Sequence, residues 1–167
     1  MRNVKLVIWF FIIFILQTVA ANYLKVQGVR PDFVLGFAMC IVVMENSFNA
    51  AMFMGILCGV LTGALCGKNF PCSVLVYTYS FIILLKLRKK AVNLPDIWKV
   101  LGYTAIITLI GETVSYLILY YSITYFTEAF LEMIIPAAIY NVVVALIIYP
   151  IAKRSLFKTE AKKKLII

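Results

Sequence analysis

The sequence predicts an all-α membrane protein whose six helices cross the bilayer and pack into one transmembrane bundle. Apolar and aromatic residues make up 64% of the chain, against ~45–50% in a soluble domain. Charged residues make up only 14%, against ~25% in such a domain. A soluble fold of 167 residues would have to expose many of these apolar side chains to water, whereas lipid accepts them.

Six apolar runs bounded by charges or by Gly and Pro are predicted to be the helices. They lie at residues 4–21, 32–44, 47–66, 72–87, 97–126 and 133–152. The first run has basic Arg2 and Lys5 at its start and ends at Val19-Ala20-Ala21, a pattern that also fits a cleaved signal peptide. We favour a retained helix, because cleavage would leave five spans and no exported domain that needs delivery.

The second helix is short, since thirteen residues at ~1.5 Å each reach about 20 Å of the ~30 Å hydrocarbon core. It either spans the bilayer or enters and leaves on the same side. At its start, Pro31 has the fixed φ of a first helical turn, and Asp32 places negative charge at the positive end of the helix dipole. Arg30 can pair with Asp32, or the segment can contact a partner.

The basic residues decide between these topologies. If all six helices cross, thirteen of the sixteen basic residues lie on one side, and only Lys25, Arg30 and Lys68 lie on the other. A re-entrant second helix would place the cluster at 86–90 outside, against the positive-inside rule. We therefore expect both termini in the cytoplasm, a single bundle at 1–152 and a basic cytoplasmic tail at 153–167. The basic segments are expected to meet anionic lipids rather than nucleic acid.

The third helix has a small residue at every fourth position. These residues are Ser47, Ala51, Gly55, Gly59, Gly63 and Gly67. They share one face, where the missing side chains let another helix approach closely. The neighbour is either a helix of the same chain or a second protein, including a second copy.

Glu112 lies midway along the fifth run and far in sequence from any basic residue. A lone carboxylate in a membrane is costly, so we expect a protonated group that hydrogen-bonds to Thr108, Ser115 or Tyr116. A structural role and a functional role are equally open. The tyrosines in the outer half of this run are typical of an aromatic belt.

Catalytic and metal-binding chemistry is poorly represented. Histidine is absent, and the four cysteines form no CxxC pair, so we expect no metal, no cofactor and no catalytic residue. The cysteines are interpreted as small packing residues, with a disulfide between Cys66 and Cys72 as the alternative.

Short motifs in a fixed order resemble the bacterial rod shape-determining protein MreD over most of the chain. They are Arg30-Pro31-Asp32-Phe33, the Gly55-xxx-Gly59 helix ending at Gly67, Tyr77, the basic loop at 86–90, Pro136-Ala-Ala-Ile-Tyr140-Asn141, Ala145, Tyr149-Pro150 and Arg154. Gly63 departs from the family, which often has an aspartate near this position.

The resemblance implies a non-enzymatic scaffold of the cell-elongation machinery in the bacterial cytoplasmic membrane. Its implied partners are MreC and, through MreC, MreB and the peptidoglycan synthase complex, and a homodimer is left open. We interpret Arg30, Pro31, Asp32, Glu112, Asn141 and Pro150 as partner or structural residues.

The fold that the resemblance implies is similar to the substrate-binding components of energy-coupling-factor transporters, which supplies a second hypothesis. A vitamin-binding subunit of this kind needs a polar pocket near the outer face and usually has an Ala-xxx-Ala patch on helix 1. Helix 1 is bulky from Ile8 to Leu16, which favours the scaffold. A membrane enzyme is the third hypothesis, with only Asp32 and Glu112 as candidate acids.

Overall fold

A computed structural model describes residues 2–25, 28–45, 47–65, 70–88, 94–120 and 125–157. These residues form six main helices, which confirms the predicted all-α bundle. The helices are α1 (Arg2–Ile15, continued by a π-helical turn at Leu16–Ala20 and a last turn at Ala21–Tyr23), α2 (Phe33–Glu45), α3 (Phe48–Leu65), α4 (Phe70–Arg88), α5 (Asp96–Tyr120) and α6 (Ile135–Ala152).

Most helix boundaries lie within two residues of the predicted runs, but the fifth run was predicted too long. α5 is described as far as Tyr120, Tyr125 is a turn residue, and Phe126–Ala129 is a separate helical segment that leads through a π-helical turn at Phe130–Ile134 into α6. Residues 121–124 lie outside the described part. The aromatic residues continue across the turn at Tyr125 without Gly or Pro. Hydropathy therefore does not mark the end of the helix.

α2 is the centre of the bundle. Every residue from Val34 to Val43 is buried, and the helix packs against α3, α5 and α6. A helix that is apolar on all sides is stable only when other helices surround it. The apolar surface of α2 therefore fits a position inside the bundle rather than one that faces lipid.

Four helical stretches in the described part of the chain are long and apolar enough to cross a membrane. They are Val4–Tyr23, Phe48–Leu65, Asp96–Tyr120 and Phe126–Leu156, and two shorter apolar helices are Phe33–Glu45 and Phe70–Lys86.

α3 and α4 lie unusually close together along the small-residue face of α3. A Cβ added to Gly55 would lie 2.8 Å from the Thr78 Cα atom, and one added to Gly59 would lie 2.8 Å from the Ser73 carbonyl oxygen. A Cβ on Gly63 would lie 3.0 Å from the Phe70 Cα atom. The neighbour of these glycines is thus a helix of the same chain. Gly67 lies outside the described residues.

Two contacts define the ends of the bundle. At one end, the Trp9 indole Nε1 donates to the Ser155 hydroxyl at 2.7 Å, which joins the start of α1 to the π-helical turn Lys153–Phe157 after α6. At the other end, the Tyr140 hydroxyl donates to the Leu24 carbonyl oxygen at 2.6 Å. The start of α1 and the turn that ends at Phe157 therefore lie at the end opposite the start of α2.

The predicted basic tail begins as a continuation of α6, because the helix runs on to Phe157. Residues 158–167 lie outside the described part. Cys40 and Cys58 are buried, and Cys72 is a free thiol; Cys66, its alternative disulfide partner, is outside the described residues.

Candidate ligand-binding site

A cavity of about 320 Å³ opens at the end of the bundle where α2 begins, opposite the start of α1 and Phe157. This volume is within the ~300–1,000 Å³ typical of small-molecule sites. Its walls come from the segment after α1, the start of α2, and helices α3, α5 and α6. The lining residues are Lys25, Gly28, Val29, Arg30, Asp32, Thr62, Glu112, Met133, Ala137 and Asn141.

Asp32 is the hub of this region. Its Oδ1 atom accepts the Leu35 backbone N–H at 2.9 Å, so Asp32 is the N-cap of α2 rather than part of the first turn. Its Oδ2 atom accepts hydroxyl groups from Thr62 at 3.2 Å and from Tyr77 at 3.5 Å. Only 6% of the residue is exposed. One buried carboxylate thus joins α2, α3 and α4.

The backbone on either side of Asp32 is held by two side-chain amides from other helices. The Asn141 Oδ1 atom accepts the Asp32 N–H at 2.8 Å. Gln17 donates to the Pro31 carbonyl oxygen at 3.2 Å and accepts the Phe33 N–H at 2.8 Å. These contacts satisfy backbone groups that a buried helix start would otherwise leave without partners. The backbone at the start of α2 is therefore held by hydrogen bonds to Gln17, in the π-helical turn that continues α1, and to Asn141 on α6.

A polar path continues from Asn141 into α5. Its Nδ2 atom donates to the Thr108 hydroxyl at 3.2 Å, and that hydroxyl donates to the Thr104 carbonyl oxygen at 2.9 Å. All three residues are buried. These hydrogen bonds fix the orientation of the Asn141 amide, whose oxygen accepts the Asp32 N–H at the start of α2.

Glu112 lines the same cavity as Lys25 and Arg30. In the sequence, Glu112 is far from any basic residue, but the fold places the side chains of Lys25 and Arg30 on the walls of the same cavity. Sequence distance therefore did not predict the charges around Glu112. Glu112 is half-buried, whereas Lys25 and Arg30 are exposed. The expected hydrogen bonds of Glu112 to Thr108, Ser115 or Tyr116 stay a prediction.

The remaining wall of the cavity is apolar. Val29 and Ala137 are buried, and Met133 is 49% exposed. Met133 lies in the π-helical turn Phe130–Ile134, and Gln17 lies in the π-helical turn of α1. Such turns are frequent at functional sites, and both occur at this end of the bundle. The cavity thus combines groups of both charges with an apolar wall, an arrangement suited to a small ligand that carries both charges.

Several predicted site residues converge on the cavity, and others do not. Arg30, Asp32, Glu112 and Asn141 line it, and Pro31 is buried beside it. Gly55, Gly59 and Gly63 face α4 instead, and Pro150 is exposed near the opposite end of α6. Among the described residues, no group of three or more metal-ligating side chains occurs.

Gln17, Thr62, Met133 and Lys25 were not among the predicted site residues. A lone glutamine inside the first apolar run is a signal that points to Gln17, since an amide within a membrane helix needs a partner. Thr62, Met133 and Lys25 carry no comparable signal in the sequence, because only the fold places them on the wall of the cavity.

Residues 3–157 match the family model described as the tryptophan transporter TrpP. Among curated proteins and solved structures, none matches the chain. TrpP is a substrate-binding component of the energy-coupling-factor type, which confirms the predicted similarity of the bundle to such components.

The family match shows that the MreD resemblance is wrong. The inferred scaffold role, the place in cell-elongation and peptidoglycan synthesis, and the partners MreC and MreB are wrong with it. The motifs behind the resemblance mostly mark helix starts and close helix contacts. Asp32 caps α2, and Gly55 and Gly59 pack on α4. Helix caps and small-residue helix contacts are general features of membrane helices, so they indicate a helical bundle and not the family.

Proposed function

The chain belongs to the tryptophan transporter TrpP family, and we propose that it binds tryptophan in the cavity around Asp32 and presents it for uptake. The observation that carries this proposal is the composition of the cavity. Free tryptophan carries an ammonium and a carboxylate beside an apolar indole. The cavity offers Glu112, Arg30 and Lys25 beside an apolar wall that includes Met133.

Micromolar binding of tryptophan requires free energy from both the apolar wall and the charged groups of the cavity. Complete burial of an indole removes 150–250 Å² of surface, which contributes ~4–6 kcal/mol before any ordering costs. A dissociation constant of 1 μM needs ~8 kcal/mol. The apolar wall alone therefore gives weak binding, and contacts to the charged head group must supply the remainder.

Met133 suits an aromatic ligand. Its thioether is flexible and polarisable, and sulfur contributes ~0.3–1.5 kcal/mol when it lies against an aromatic ring. Because Met133 is about half exposed, it can change rotamer as a ligand enters. We assign the indole to the wall formed by Val29, Met133 and Ala137.

The orientation in the membrane follows from charge. If all six helices cross the membrane, thirteen basic residues fall on the side of the termini and three on the other side, which favours a cytoplasmic location for the termini. The cavity then opens outward, where a substrate for uptake arrives. Movement of the ligand across the membrane requires a separate energising module of the energy-coupling-factor type, and no chemical reaction is assigned to this chain.

Equilibrium binding of radiolabelled L-tryptophan to the purified protein in detergent tests the proposal. We expect saturable binding at one site per chain. Ala137→Phe fills the cavity and should abolish binding, since Ala137 is 6% exposed and lines its wall. Ile139→Phe adds a ring two residues away on an outer surface, where Ile139 is 60% exposed, and should leave binding intact.

Absence of saturable binding to the folded wild-type protein would contradict the proposal. So would equal binding by the two variants, because the ligand would then lie elsewhere. Saturable binding of a vitamin with no binding of tryptophan would retain a transporter subunit but replace its substrate.

A further inference from the structure

We propose that Glu112 receives the ammonium group of the ligand, that Arg30 receives its carboxylate, and that Asp32 positions the site without contacting the ligand. This assignment rests on the proposed tryptophan binding. It differs from the simplest expectation, in which the buried aspartate at the centre of the cavity wall binds the ammonium.

Asp32 is engaged by the protein itself. Three donors already reach its two oxygens, namely the Leu35 N–H, the Thr62 hydroxyl and the Tyr77 hydroxyl. An ionised carboxylate offers about four acceptor sites. With only 6% of the residue exposed, little capacity and little surface are left for a ligand. Asp32 therefore holds α2, α3 and α4 together at the cavity wall.

Glu112 is the other carboxylate on the wall of the cavity. It projects from α5 and is half-buried, so a ligand can reach it from the open side. Because Glu112 is half-buried, fewer water molecules compete with the ligand for hydrogen bonds to its carboxylate. A hydrogen bond between an ammonium and a carboxylate in such a place is shorter and roughly twice as strong as one between neutral groups.

Arg30 suits the carboxylate of the ligand because its planar guanidinium matches a carboxylate in a two-pronged contact. Its backbone is also well anchored. The next residue, Pro31, has its carbonyl oxygen held by Gln17, and the Asp32 N–H that follows is held by Asn141. Lys25 lines the same cavity, but a lysine acts as a point charge on a flexible chain and fixes no orientation.

Ligands that lack one charged group separate these roles. Tryptamine lacks the carboxylate, and indole-3-propionate lacks the ammonium. Affinities of both compounds and of L-tryptophan are to be measured for the wild-type protein and for Glu112→Gln, Arg30→Gln, Asp32→Asn and the outer-surface control Ile139→Phe. Because affinity ratios between ligands do not depend on the fraction of active protein, partial misfolding of a variant does not obscure the result.

Glu112→Gln should lower the affinity for tryptophan and tryptamine by about 10- to 100-fold, the range for a hydrogen bond to a charged group, and leave that for indole-3-propionate nearly unchanged. Arg30→Gln should weaken tryptophan and indole-3-propionate similarly and spare tryptamine. Asp32→Asn should weaken all three ligands to a similar extent and lower the melting temperature. Ile139→Phe, on the outer surface of the bundle, should change the three affinities little.

Selective loss of the two amine ligands in Asp32→Asn would overturn the assignment and make Asp32 the ammonium acceptor. Equal losses for all three ligands in Glu112→Gln, repeated in Glu112→Asp, would also overturn it, because Glu112 would then only shape the cavity. Failure of the wild-type protein to bind tryptophan at all would reject the proposed function, an outcome distinct from a wrong assignment of roles.

Discussion

Gly59→Ala tests the close packing of α3 on α4 that supports the site. The added Cβ would lie 2.8 Å from the Ser73 carbonyl oxygen and 2.9 Å from the Val74 backbone nitrogen. Ordinary contacts of a Cβ begin at 3.4 Å, so the two helices must separate by more than half an ångström. Both obstacles are backbone atoms, and no rotamer change can relieve the clash.

The expected cost is about 1–3 kcal/mol, the usual range for overpacking a tight interface. Gly102→Ala is the matched control, because a Cβ at Gly102 on α5 would meet nothing within 4 Å. Both substitutions gain up to ~1 kcal/mol of helix propensity, so the difference between them isolates the clash. Separation of α3 from α4 also moves Thr62 and Tyr77 apart, and both donate to Asp32.

Thermal unfolding in detergent measures this difference. A chain of this size shifts by about 2–4 °C per kcal/mol, so Gly59→Ala should melt at least 2 °C below Gly102→Ala. Gly36→Ala should give an intermediate result, since its Cβ would lie 3.4 Å from the nearest atoms. Equal melting temperatures for the Gly59 and Gly102 variants would refute the reasoning, because α3 and α4 would then not pack as described.

Three further predictions address the site and the topology. Asn141→Leu should lower the free energy of unfolding by about 1–3 kcal/mol in chemical denaturation, because it leaves the buried Asp32 N–H without its acceptor; an unchanged midpoint would contradict that contact. Met133→Ala should weaken tryptophan binding in calorimetry more than it weakens binding of an aliphatic amino acid, whereas equal losses would remove the indole from this wall. Reporter fusions at both termini should signal the cytoplasm, and an external signal at either end would contradict the predicted orientation.

The helices could be predicted from the sequence because membrane helices have a simple composition. Apolar runs bounded by charge located all six, and the spacing of Gly55, Gly59 and Gly63 indicated a close helix contact. The sequence did not show which helix lay opposite, since the glycine pattern describes only one of the two surfaces. The turn at Tyr125 could not be predicted, because aromatic residues continue on both sides of it.

The site was only partly predictable. Arg30, Asp32, Glu112 and Asn141 were all singled out, but each on separate grounds, and 109 residues separate Asp32 from Asn141. Only the folded bundle brings them into one cavity. The bulky residues of helix 1 also misled the choice between scaffold and transporter, because that pattern concerns a surface for a partner and not the ligand cavity.

The most direct test of the central claim is a crystal structure of the protein with a brominated tryptophan, located by anomalous scattering. The account predicts a single strong bromine peak inside the cavity, beside Val29, Met133 and Ala137, with the amino acid head group toward Glu112 and Arg30. A bromine peak on the outer surface of the bundle, or an empty cavity in crystals grown with saturating ligand, would contradict it.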